Sequence, residues 1–163
     1  MKKIYLAGPD VFRHDALAHG RQLVNILKSR GYIGLFPLDN LIPEAQDPAE
    51  TARSIFQANR QMIDDADAVL ANLSPFRGPS ADCGTVWECG YAHAQKKPVI
   101  GYRSALTRTY KDAVLSQQGQ DELLVEDFGL WDNLMLVYGI DQVSSSLEEA
   151  LGHLADLVLP SKS

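Results

Sequence analysis

Apolar residues along this chain fall into short runs, separated by stretches in which they recur every three or four positions. Lys3–Ala7 (KIYLA) is such a run and ends at Gly8-Pro9, so it predicts a strand entering a loop. Residues 15–30 carry Leu17, Val24, Ile26 and Leu27 ahead of Gly31, which predicts a helix with a glycine stop. Residues 32–37 (YIGLFP) predict a second strand, and residues 49–65 a second helix with Ile55, Met62 and Ile63 as an approximate apolar stripe. Residues 68–73 (AVLANL) read as a buried third strand, 82–96 as a third helix, 98–102 (PVIGY) as a fourth strand and 147–159 as a closing amphipathic helix.

Strands alternating with helices of this length imply right-handed βαβ crossovers and a parallel sheet covered on both faces, an α/β arrangement. Ligands of open parallel sheets bind outside the carboxyl ends of the strands. Three loops leave those ends, at residues 8–15, 37–48 and 74–82, and they are the segments richest in Gly, Pro, Asp and Asn. A site is therefore expected there before any motif is considered.

Composition narrows the function classes. A chain of 163 residues, 45% hydrophobic, fits one domain spanning residues 1–163 around one core. The net charge is −6 and the Lys and Arg residues are scattered, so the basic footprint that duplex nucleic acid requires is missing. A small molecule in a pocket is the expected partner. No apolar run approaches the ~20 residues needed to span a bilayer, and no membrane association is expected. The N-terminal apolar stretch is broken by Gly8-Pro9-Asp10 and is too short for a signal peptide. Cys83 and Cys89 read as reduced packing cysteines of a cytoplasmic protein. His14, His19, His93 and His153 are dispersed, so neither a metal nor another cofactor is expected.

Residues 74–91 (SPFRGPSADCGTVWECGY) carry the chemistry. Glu88 is flanked by Val86, Trp87, Cys89, Gly90, Tyr91 and Ala92, an almost wholly apolar helix. Ionised glutamates are almost never fully buried without a partner. Two readings follow: a residue at the helix edge reaching water or an arginine, or a carboxylate facing the crevice. Near the helix start the dipole favours the ionised form. A poorly solvated carboxylate there is equipped to attack an anomeric carbon. Asp82 stands where an N-cap is expected, and that position also points into the crevice. Two carboxylates flanking a glycosidic bond are the usual equipment for oxocarbenium-like chemistry.

Five ordered blocks resemble the nucleoside 2-deoxyribosyltransferase family: LAGPDVF from Leu6, PLDN from Pro37, DADAVLANLSPFRGPSADCGTVWECGYA from Asp65, KPVIGY from Lys97 and DNLML from Asp132. The most specific part is D-x-G-T-x-W-E-x-G-Y-A, from Asp82 to Ala92. The resemblance implies a flavodoxin-like doubly wound parallel sheet flanked by helices. It also implies transfer of 2-deoxyribose between bases through an ester on a glutamate, matched here by Glu88. Asp82 matches an aspartate that orients the sugar and assists proton handling, and Tyr5 a tyrosine whose hydroxyl steadies the nucleophile. Gly8, Asp10 and Phe12 are implied to line the sugar and base. Asn133 matches an asparagine that completes a neighbouring subunit's pocket, which implies a homo-oligomer. The implied partners are 2'-deoxynucleosides and free nucleobases. Asn59 falls where some members carry a base-contacting aspartate; unlike an ionised carboxylate, its amide can both donate and accept.

Two other readings stand beside transfer. A hydrolase of deoxynucleosides or their 5'-monophosphates would use the same glutamate, with Arg13, Arg77 and Ser80 as candidate phosphate contacts. A nucleoside-binding domain without catalysis would share the fold, since fold does not fix function.

Overall fold

The computed structural model of the protein describes residues 1–40, 47–118 and 123–158. Five parallel strands form one sheet: β1 (Lys3–Ala7), β2 (Ile33–Leu35), β3 (Ala68–Asn72), β4 (Val99–Tyr102) and β5 (Gln142–Ser144). Their order is β2-β1-β3-β4-β5. The chain thus winds outward from β1 in one direction, returns, and winds outward again from β3. This is the flavodoxin-like doubly wound arrangement, and its crevice opens where β1 and β3 part company at their carboxyl ends.

The helices are α1 (Ala16–Ser29), α2 (Pro48–Asp65), α3 (Cys83–Ala94), α4 (Tyr110–Gln118), α5 (Leu134–Tyr138) and α6 (Leu147–Val158). Alternation along β1 divides the core in two. Ile4 and Leu6 pack with Leu23 and Leu27 of α1 and with Leu151 and Leu154 of α6. Tyr5 and Ala7 face the other way, onto Ile63 of α2, Cys89 and Ala92 of α3 and Leu136 of α5. Both faces of the central strands are dry, which is why β1, β3 and β4 read as continuous apolar runs.

The predicted elements are present, with ends moved by local chemistry. Asp47 accepts from the Ala49 N–H at 2.9 Å, so its cap starts α2 at Pro48. Gly31, with φ of 82°, follows the end of α1 at the predicted stop. The second strand contracts to three residues because Pro37–Asp39 turns into a 3-10 helix. Residues 41–46 of the predicted loop 37–48, and Leu159 of the predicted last helix, lie outside the described residues. Three elements had no signal in the pattern. β5 is three residues long, α5 is five, and α4 (YKDAVLSQQ) has no clear apolar stripe. Elements this short are specified by what they pack against.

Close packing fixes the angle of α1. A Cβ placed on Gly20 would lie 2.3 Å from Cδ1 of Phe36, whose side chain is buried just after β2. Gly20→Ala is therefore expected to destabilise the fold by about 1–3 kcal/mol, despite the better helix propensity of alanine. Chemical denaturation measures this, and a variant as stable as the parent would show that the contact yields freely.

Candidate active site

The crevice at the β1–β3 switch holds a cleft of about 540 Å³. Its floor is Glu88, on the second turn of α3, facing Tyr5 of β1. The Tyr5 hydroxyl donates to Oε1 of Glu88 at 2.7 Å. Tyr5 is fully buried, and burial together with the adjacent carboxylate pushes its phenol well above the ordinary range, so it stays protonated and donating.

Three influences act on Glu88. Burial is the largest and raises its pKa, the Tyr5 hydrogen bond lowers it, and the negative charge of Asp82 raises it again. The sum is a carboxyl pushed up to about 7. The helix start favours the anion, but burial acts against it, and near neutrality the group is poised between its two forms.

Asp82 stands both at the cap and at the crevice. It caps α3, with the N–H and hydroxyl of Thr85 both donating to Oδ2, at 2.9 and 3.0 Å. It also lines the cleft. Gly8 and Phe12 line the cleft as expected. Gly8 is required there because a Cβ would come within 2.8 Å of the Asn72 side chain at the end of β3. Phe12 is half exposed and stacks on Phe76, with ring centroids 5.3 Å apart. Asn59 lines the opposite wall from α2, and its buried Oδ1 has no hydrogen-bond partner among the described residues. An unsatisfied buried acceptor is costly. A ligand that donates to it would remove that cost.

Two expected residues are placed elsewhere. Asp10 is not among the residues lining the cleft: Nε2 of His19 lies 2.9 Å from its Oδ1, and Nδ2 of Asn72 donates to its Oδ2 at 2.9 Å. It borders a separate hollow of about 230 Å³ beside Phe12 and Arg13. Asn133 caps α5, accepting from the Met135 N–H at 3.0 Å, and lines an apolar groove of about 710 Å³ against Cys83 and Val86 of α3. Within one chain it does not reach the cleft lining.

The structure adds residues that pattern reading missed. Ile55, expected in a core stripe, is 44% exposed and lines the cleft with Thr51, one turn earlier on α2. Leu38 and Asn40 join them from the loop after β2. The candidate phosphate contacts do not converge on the cleft. Arg13 pairs with Asp15 at 2.8 Å, Arg77 lies over the rings of Phe12 and Phe76 at 5.4 and 4.8 Å, and the Ser80 hydroxyl donates to Asp132 at 2.5 Å. Among the described residues, no group of three or more His, Cys, Asp or Glu side chains is placed to hold a metal ion.

The raised pKa of Glu88 makes stability depend on pH with a defined sign. Between about pH 4.5 and 7 the folded chain binds the proton that the unfolded chain releases, so this contribution is full below 4.5 and is lost as pH rises through 7. Glu88→Gln, which imitates the protonated form, is expected to stabilise the fold by up to about 3 kcal/mol at pH 8 and by almost nothing at pH 4. Thermal unfolding of both proteins across that range measures the difference, and parallel curves would refute the burial of Glu88.

With this geometry in view, the likenesses to other proteins acquire meaning. Residues 4–135 match the family model described as nucleoside 2-deoxyribosyltransferase, a span that includes Tyr5, Asn59, Asp82, Glu88 and Asn133. A solved 2-desoxiribosyltransferase from Leishmania mexicana superposes with a TM-score of 0.78 at 34% identity, covering 98% of this chain and 100% of that one. An uncharacterised Schizosaccharomyces pombe protein, C191.05c, is 37% identical over 120 residues, 72% of this chain and 56% of that protein. A putative 2'-deoxynucleoside 5'-phosphate N-hydrolase 1 of Thermofilum pendens is 31% identical over 100 residues, 60% of this chain and 65% of that protein. The chain thus spans under two thirds of the length of either of these two relatives. It belongs to the nucleoside 2-deoxyribosyltransferase family.

Proposed function

We propose that the protein transfers 2-deoxyribose from one nucleobase to another in two displacements through a deoxyribosyl ester on Glu88. The observation that carries this reading is the Tyr5–Glu88 hydrogen bond at the floor of the cleft. It leaves one carboxylate oxygen for attack on C1' from the face opposite the base. The C1'–N bond breaks as the ester C1'–O bond forms, and the departing base takes up a proton. Tyr5 then donates to the ester's carbonyl oxygen, so the hydrogen bond persists through the reaction. A second base attacks C1': the new C1'–N bond forms as the ester C1'–O bond breaks to release the Glu88 carboxylate, and the incoming base gives up a proton. Two inversions restore the starting stereochemistry.

A carboxyl near 7 suits a group that must act as nucleophile and later as leaving group, because a more acidic one would attack weakly. Asp82 stands on the cleft wall to orient the sugar and manage protons, Gly8 and Phe12 to hold the sugar and the base, and Asn59 to meet the base edge with a donor and an acceptor. The scatter of Arg13, Arg77 and Ser80 favours a nucleoside over a nucleoside 5'-monophosphate as substrate. No part is required of a cofactor.

The groove beside Asn133 supports a shared site. Met135 and Tyr138 are 75% and 76% exposed there, an apolar surface suited to a second copy that would receive Asn133 at its own cleft.

Exchange between deoxyinosine and free adenine is the direct test. Glu88→Ala is expected to lower it by a factor on the order of 10³ or more, and kcat/KM of the parent should rise on its acid limb with a midpoint near pH 7. Intact-mass measurement after exposure to a 2-fluoro-2-deoxynucleoside should show the trapped sugar. Full exchange by Glu88→Ala rejects the reading, and deoxyribose release equally fast with and without acceptor points to hydrolysis instead. For the shared site, mixing Glu88→Ala subunits with Asn133→Ala subunits should restore exchange that neither variant has alone; no recovery in mixed oligomers would refute it.

A further inference from the structure

Beyond the cleft, the chain buries a charge pair that neither the fold nor the reaction accounts for. Arg103 directly follows β4 and is 2% exposed. Its Nη1 donates to the Leu73 carbonyl at 2.7 Å and to Oδ2 of Asp132 at 2.9 Å, while Nη2 donates to the Pro79 carbonyl at 3.1 Å. Its guanidinium lies 5.1 Å from the ring centroid of Trp131. Asp132 is 1% exposed and accepts four hydrogen bonds. Oδ1 receives the Ser80 hydroxyl at 2.5 Å and the Asn133 N–H at 2.8 Å; Oδ2 receives the Ala81 N–H at 3.0 Å and Arg103. Every acceptor site of this carboxylate is thereby in use.

A buried ion pair is a poor way to gain stability, since apolar residues of similar volume often do as well or better. What this pair does instead is hold a place. Residues 74–82 (SPFRGPSAD) are rich in Pro and Gly and include Arg77 at a φ of 53°. Within this loop the Phe76 N–H bonds the Ser80 carbonyl at 3.0 Å, and its last residues before α3 hang on Asp132 and Arg103. The next residue is Asp82.

We propose that Arg103 and Asp132 are positioning residues that set Asp82 beside Glu88 by anchoring Pro79, Ser80 and Ala81. This rests on the reading of Asp82 and Glu88 as site carboxylates. Loss of the anchor lets residues 79–82 drift, and Asp82 then acts on Glu88 from further away.

The titration of Glu88 reports that distance, because the Asp82 charge raises it. The other group bearing on Glu88 is Tyr5, from β1; the buried Cys89 thiol of its own helix is neutral, and Asn59 faces the cleft from α2 without a charge. Neither Tyr5 nor Cys89 bonds Arg103 or Asp132. The experiment is a double-mutant cycle read by carbon NMR of ¹³C-labelled glutamate carboxyls, with Glu88→Gln identifying the resonance. Asp82→Asn should lower the Glu88 midpoint, Asp132→Asn should lower it in the same direction, and the double variant should match Asp82→Asn alone. An unchanged midpoint in Asp132→Asn, or two shifts that simply add, overturns the proposal, because additivity is what a direct through-space effect of the lost charge produces. Should Asp132→Asn not fold, Ser80→Ala removes one donor from the anchor and should give a smaller shift of the same sign; a parental midpoint overturns the proposal equally. The readout needs no turnover, so it stands or falls separately from deoxyribosyl transfer.

Discussion

Glu88 sits where burial and hydrogen bonding pull a carboxyl group in opposite directions. Removal from water favours the neutral acid, the Tyr5 hydroxyl favours the anion, and Asp82 tips the balance back toward the proton. The result, a group titrating near neutrality at the floor of a cleft, requires all three contributors to be held in place. Tyr5 is held by the centre of the sheet, Glu88 by a helix packed on that sheet, and Asp82 by the cap it makes to the same helix. The rest of the fold can be understood as the means of keeping these three side chains together.

The doubly wound order brings this about economically. β1 and β3 are neighbours, and their register sets Tyr5 against Val69 and Ala7 against Ala71. The loops after β1 and before α3 therefore open on the same crevice. Gly8 lets the first loop approach Asn72 at the end of β3 more closely than any side chain would allow. The helices α2 and α3 form the walls, and α2 contributes Thr51, Ile55 and Asn59 from successive turns.

Helix α3 has two working sides. One carries Glu88 and Thr85 into the cleft, and the other presents Cys83, Val86 and Gly90 to the apolar groove that includes Asn133. Asp132 stands on the groove side, where it takes the N–H groups of Ala81 and of Asn133. A single buried carboxylate thus ties the start of α3 to the cap of α5. The charge is tolerated because Arg103 and three further donors satisfy it.

How much was legible beforehand depended on the range of the interactions involved. The main strands and helices follow from apolar runs, glycine stops and caps, all local in the chain. Glu88 stood out because a carboxylate in an apolar helix is a local contradiction, and Asp82 because capping is a near-neighbour effect. The roles expected of Tyr5, Asn59 and Asn133 rest on family resemblance, since nothing in a buried strand tyrosine announces a partner 83 residues away. Tertiary structure alone decided the rest. It turned Asp10 toward His19 and Asn72, brought Ile55 into the cleft, and put Asn133 on the far side of α3. It also raised Glu88 toward neutrality, which the helix dipole by itself would not have done. Local order determines which residues form each element; water exclusion and long-range charge, which set the chemistry, exist only once the elements have packed.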